Sequence, residues 1–135
     1  MWASRNCASR TDRPPPSAAI IHERPSAYSL LPELAATEVD QVSIETAQSG
    51  LDLAVLDSLP EKTIIRGALD LSTAEVETPE TVAARIRRAF PHAGHDRLIA
   101  APDRGMKYLP REAAYGKLEA LVAGARLAAA EAVTA

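Results

Sequence analysis

Side chains able to do chemistry are sparse in this 135-residue chain, and they sit at turns. Glu45, the stretch Asp70 to Ser72, and the pair Asp103-Arg104 each follow directly on a short apolar run. In parallel α/β folds the reactive groups gather where strands end and loops begin, so these are the positions to read for function. A carboxylate there can cap the following turn or ligate a metal. Between Ala101 and Lys107 the order Ala-Pro-Asp-Arg-Gly-Met-Lys predicts a tight loop: Pro102 fixes one dihedral, Gly105 permits positive φ, and the side chains between them project over the strand end. Asp70 and Ser72 suit a turn and cap. His92 and His95, beside Pro91 and Gly94, read as solvated loop residues, and Arg85, Arg87 and Arg88 as a solvated helix face.

The elements that must hold these residues alternate in type. Gln41 to Glu45, Thr63 to Leu69 and Arg97 to Ala101 are too short and too β-branched for helices and are predicted as buried strands. Thr78 can cap a helix with Pro79 at its first position and Glu80 near the positive end of the dipole, burying Val82, Ile86 and Ala89 or Phe90. A last helix from Pro110 is predicted to bury Ala114, Leu118, Leu121, Val122 and Ala125 and to leave Arg111, Lys117, Glu119 and Arg126 largely outside. Shorter helices are expected over Leu51 to Leu59 and around Tyr28 to Ala36, the latter with Pro32 in its opening turn.

Strand and helix in alternation imply parallel strands, right-handed crossovers and an α/β class. Three strands would leave two edges unpaired, and an eight-stranded barrel needs roughly 200 residues or more. The expected fold is therefore part of a (β/α)8 barrel, about its last three strand–helix units. Residues 1–17, with three consecutive prolines, read as a disordered or divergent tail, and 18–135 as the barrel fragment.

Bulk properties exclude several partners. Fifteen basic and 18 acidic residues are interspersed at a net charge of −3, so no field gathers nucleic acid or anionic lipid. No apolar run approaches the roughly 20 residues that span a bilayer, and the first residues lack the apolar middle of a signal peptide. The single cysteine, Cys7, offers neither a disulfide nor a pair of zinc-binding thiols, which points to a reducing, cytoplasmic setting.

Five segments taken together resemble the C-terminal part of the cobalamin-independent methionine synthase family. They are His22-Glu23-Arg24-Pro25-Ser26, Asp40-Gln41-Val42-Ser43-Ile44-Glu45, Gly67-Ala68-Leu69-Asp70, Glu75-Val76-Glu77-Thr78-Pro79-Glu80, and the run from Pro102 to Arg111. Each is weak alone, but their order and spacing are specific. The resemblance implies a zinc-dependent (β/α)8 barrel that moves a methyl group, from a methylated folate or similar donor, to a homocysteine-like thiol. It also implies a zinc site made of a His-x-Cys pair, a Glu ending the next strand, and a Cys in a Pro-Asp-Cys-Gly loop.

Only the Glu position is kept, as Glu45; Arg104 stands where the loop Cys would be, beside Asp103, and the stretch Thr11 to Pro16 holds neither His nor Cys. The resemblance puts His22 in a loop after the metal motif, and it puts a proton-donating His of the family near Ser72. Zinc holds a substrate thiol as thiolate through soft or imidazole ligands, so one carboxylate does not suffice and no zinc is expected on this chain alone. Arg104 would also place a fixed cation where a metal's charge belonged, and an Arg104–Glu45 ion pair is expected in its stead. The expected partner is a second copy of the chain or a complementing half of the barrel.

Overall fold

A computed structural model describes residues 28–134. His22 and the segment around it, Cys7 and the predicted tail lie outside the described residues. Chain order runs α1 (Leu31–Ala35), β1 (Gln41–Ile44), a 3-10 helix (Leu53–Ser58), β2 (Thr63–Leu69), α2 (Pro79–Arg87), a 3-10 turn (His95–Arg97), β3 (Leu98–Pro102) and α3 (Arg111–Thr134). The strands form one open parallel sheet in the order β1-β2-β3, with Ile64 of β2 opposite Val42 and Leu98. The α/β class and the partial, unclosed barrel are as the sequence implies.

Local chemistry sets most boundaries. Thr78 Oγ1 accepts from the Thr81 amide at 3.2 Å and Pro79 opens α2, so the missing proline N–H falls where no helical bond is due. Pro32 likewise sits in the first turn of α1. The segment after β1 is a 3-10 helix, not the α-helix expected: Asp52 caps the Ala54 amide at 3.1 Å, and Leu53, Leu56 and Leu59 are buried. A repeat of three suits a helix of three residues per turn. β3 begins one residue later than predicted, because Arg97 turns away to donate to the carbonyls of Lys62 at 2.9 Å and Leu59 at 3.3 Å.

One face of the sheet is packed. Val42, Ile44 and Ile64 meet Leu53, Leu56 and Leu59, while Ala68 and Leu69 meet α2 and α3 through Val82, Ile86 and Leu121. Burial at about 25 cal/mol per Å² of apolar surface drives both clusters. The alternate residues Gln41, Ser43 and Ile99 remain exposed on the other side, so the strands are covered on one face where full burial was expected.

The long helix is rotated from its predicted orientation. Lys117 is fully buried, with Ala120, Leu121 and Ala128 on the same stripe, whereas Leu118 is 43% and Val122 50% exposed. Small residues permit this: a Cβ on Gly124 would lie 2.6 Å from Val82 Cβ and 2.8 Å from the Pro79 carbonyl oxygen, so glycine lets α3 rest directly on α2. Spacing alone favoured the larger apolar residues, but close backbone approach fixes the helix by its smallest ones.

Candidate functional site

The strand ends converge on Asp103. Its carboxylate, buried at 6% exposure, accepts three consecutive amides of the loop after β1: Thr46 and Ala47 on Oδ1 at 3.1 and 3.0 Å, and Gln48 on Oδ2 at 2.7 Å. The β3 loop thus ties down the β1 loop across the top of β2, and both carboxylate oxygens are used. Gly67 makes room, since a Cβ there would meet Asp103 Oδ1 at 1.8 Å and its Cα at 2.7 Å. A buried carboxylate that accepts three N–H bonds is a positioning group, because those charge-assisted bonds are among the stronger ones in proteins.

Beneath it lies Arg66, buried at 3% exposure. Its Nε donates to Thr46 Oγ1 at 2.9 Å, whose hydroxyl donates to the Gly67 carbonyl at 2.8 Å, and its guanidinium also donates to the Arg85 carbonyl. Burial first, then the neighbouring guanidinium of Arg88, push Arg66 down to about 10 against the pull of Asp103, which leaves it charged at neutral pH. Arg66 lies inside a strand that is otherwise apolar after its opening Thr63.

Arg104 and Glu45 do not form the expected ion pair. The Arg104 guanidinium donates to the Gln48 side-chain oxygen instead, and no Arg104–Glu45 contact occurs among the ion pairs of the described residues. Asp103 explains why: by drawing in the amides of residues 46–48, it brings Gln48 to the neighbouring arginine. Glu45, half-buried and just beyond β1, has its carbonyl bound by Tyr28 Oη at 3.1 Å and Ser49 Oγ at 2.9 Å. Gly105 does not use positive φ; the positive-φ glycine of the described residues is Gly50, at 59° in the β1 loop. At the end of β2, Asp70 Oδ1 accepts from the Ser72 amide at 2.8 Å and its hydroxyl at 2.6 Å, the turn and cap expected.

A second polar centre was not foreseen. Lys117 Nζ, fully buried, donates to Glu77 Oε2 at 2.7 Å and to the Asp70 carbonyl at 2.8 Å. Glu77 Oε1 accepts from the Asp70 amide at 2.7 Å and from Arg85 at 3.0 Å, and Arg85 reaches the Ala68 carbonyl at 2.9 Å. Burial pushes the Glu77 carboxyl up, but the bonds from Lys117, the Asp70 amide and Arg85 outweigh it and hold Glu77 below the ordinary carboxylate range. So Lys117 is not an outer residue, and Arg85 is not merely solvated. Arg87 pairs with Glu131 of α3, His92 Nδ1 meets Asp57 Oδ1 at 2.9 Å, and the His95 ring stands edge-on to Phe90. One signal for Lys117 was available: it shares its helical stripe with Ala120, Gly124 and Ala128.

The arrangement suits holding loops better than holding a metal. Among the described residues, no three His, Cys, Asp or Glu side chains gather closely enough to ligate an ion. Asp103 spends both oxygens on amides, and the neighbouring Arg104 is a permanent cation. These donors do not fit zinc, which needs about four, drawn from thiolate, imidazole and carboxylate.

The chain matches a family model described as the catalytic domain of cobalamin-independent synthase, over residues 23–127. A methionine synthase of Methanothermobacter marburgensis is 39% identical over 95 residues, covering 69% of this chain and 31% of the relative. A 2-hydroxypropyl-CoM lyase of Xanthobacter autotrophicus is 32% identical over 110 residues, covering 76% of this chain and 29% of the relative. Among solved structures, a B12-independent methionine synthase from Shewanella, in complex with selenomethionine, superposes with a TM-score of 0.76 at 31% identity, over 78% of this chain and 31% of that one. The chain therefore spans about a third of the length of the relatives it matches.

Proposed function

Because the chain belongs to the cobalamin-independent synthase catalytic-domain family, we propose that it keeps the strand-and-loop frame of a methionine-synthase-type methyltransferase without performing methyl transfer itself. The observation that carries this reading is Arg104 at the position where the family resemblance puts a zinc-binding cysteine, its guanidinium on Gln48 and its neighbour Asp103 committed to three backbone amides. A metal ligand would have to leave at least one oxygen for the ion. A site built on a fixed cation and a fully occupied carboxylate instead locks two loops together.

Relatives named for two different reactions match 69% and 76% of the chain, which supports reading the chain as architecture more than as substrate choice. Zinc belongs to the family resemblance, and Glu45 is the residual ligand position. A single carboxylate does not hold a thiol as thiolate. The low cysteine count fits a reducing, cytoplasmic setting, and among the described residues no helix is long and apolar enough to cross a membrane.

A second reading rests on a separate observation: among the described residues β1 and β3 are each paired on one side only, and Ile99, Leu118 and Val122 are exposed. In that reading a complementing polypeptide completes the barrel and brings the missing ligands, with this chain contributing Glu45. The two readings part on one assay. Purified chain with homocysteine, a methylated folate and zinc is followed for methylated thiol. The frame-only reading expects no turnover above the protein-free rate, alone or mixed with a complementing barrel half. Turnover by the mixture that disappears in Glu45→Ala would establish the second reading, and turnover by the chain alone would contradict both.

A further inference from the structure

On the helix side of the sheet, a half-enclosed cavity of about 80 Å³ is lined by Arg66, Arg85 and Arg88 together with Thr46 and the apolar Leu51 and Leu53, and no Asp or Glu lines it. Its volume is several times the roughly 10–15 Å³ that admits one water. Three guanidinium groups from β2, α2 and the end of α2 thus face one small space. Their charges are not balanced nearby. Glu77 is shared between Arg85 and Lys117, and Asp103, the carboxylate that acts on Arg66, is bound by three amides. Among these interacting groups four cations share two carboxylates, and the Arg88 side chain has no hydrogen-bond or ion-pair partner among the described residues.

Two of the arginines are held in place before any ligand arrives. Arg66 is 97% buried by its 3% exposure and fixed by Thr46 and the Arg85 carbonyl. Arg85 is fixed by Glu77 and the Ala68 carbonyl. A pre-ordered guanidinium loses little entropy on binding, and its planar fork matches an oxyanion. Arg88, exposed at the rim, is free to close over what enters.

The geometry points to this cavity as a binding site for a small oxyanion, a phosphate-sized group gripped by Arg66, Arg85 and Arg88. The cavity is too small for a nucleotide, so the group is either free inorganic phosphate or the phosphoryl end of a larger molecule that projects past Arg88. Because Arg66 touches Thr46, whose amide is held by Asp103, occupancy would stiffen the β1 loop that carries Glu45 and Gln48. The site is independent of the methyltransferase reading and stands or falls separately.

Isothermal titration of the full chain with inorganic phosphate, at ionic strength matched with sodium chloride, tests it. Saturable one-to-one binding is expected, weakened roughly tenfold in Arg88→Gln, the loss of one charge-assisted contact, and unchanged in Arg126→Gln on the exposed side of α3. Arg66→Gln abolishes it; should that variant not fold by circular dichroism, Arg88→Gln still decides. Glycerol phosphate binding more tightly than inorganic phosphate supports a phosphoryl-bearing ligand, and weaker binding supports the free ion. Heat no greater than that of chloride, or equal binding by Arg88→Gln, would overturn the assignment.

Discussion

Glu77 and Lys117 carry the largest single-residue consequence of this structure, since Lys117 buries a charge that only Glu77 and the Asp70 carbonyl compensate, and Glu77 is shared between Lys117, Arg85 and the Asp70 amide. Breaking a buried pair leaves an uncompensated charge and costs about 3–5 kcal/mol. Glu77→Ala, which strands both Lys117 and Arg85, is expected to lower stability by that amount in urea unfolding. Lys117→Met is expected to cost less, because Arg85 and the Asp70 amide still serve Glu77. The same carboxylate sets a pH dependence. Its folded pKa lies below the ordinary 4.5, so its contribution is full above that value and is lost as pH falls through the lower, folded one. The urea midpoint should therefore drop on acidification below pH 4.5 in the wild-type chain and drop less in Glu77→Gln. At this scale the sequence showed which loops mattered: Glu45, Asp70 and Asp103 all stand at strand ends. It did not show their partners, because Asp103 bonds to amides 55–57 residues away and Lys117 to a carboxylate 40 residues away. Periodicity reads one helix or strand at a time and carries no such long-range pairing.

Elements built on local rules matched their predictions closely: β2 spans the predicted Thr63–Leu69, and α2 has the predicted cap and proline. Those settled by packing between elements differed. Orientation of α3 follows Gly124 against Val82 and Pro79, and the segment after β1 follows a three-residue leucine repeat. The rotation of α3 has a measurable sign. Leu121→Ala should cost about 2–5 kcal/mol as a core truncation, while Leu118→Ala and Val122→Ala should stay within roughly 0.5 kcal/mol, the range of surface changes. The reverse ranking in thermal unfolding would restore the orientation predicted from spacing. Leu118 and Val122, with Tyr115, make an apolar stripe. Replacing both with Gln is expected to leave unfolding unchanged and to reduce any self-association seen by sedimentation velocity, because exposed contiguous apolar surface marks an interface.

For the molecule as a whole, among the described residues, three parallel strands with helices on one side are part of a layered architecture whose other face is open. The chain shares that architecture with relatives more than twice its length. Kinship was legible in the sequence because motif order survives when single residues change, as in the run Pro102-Asp103-Arg104-Gly105. In the proposed reading, arginine where the family resemblance puts a soft ligand removes a donor and adds a charge, while Asp103 ties this loop to the loop after β1. The most direct measurement is zinc bound per chain after equilibrium dialysis of the full chain against buffered zinc. The account predicts well under one zinc per chain with no saturation; one tightly held zinc per chain, lost in Glu45→Ala, would contradict it.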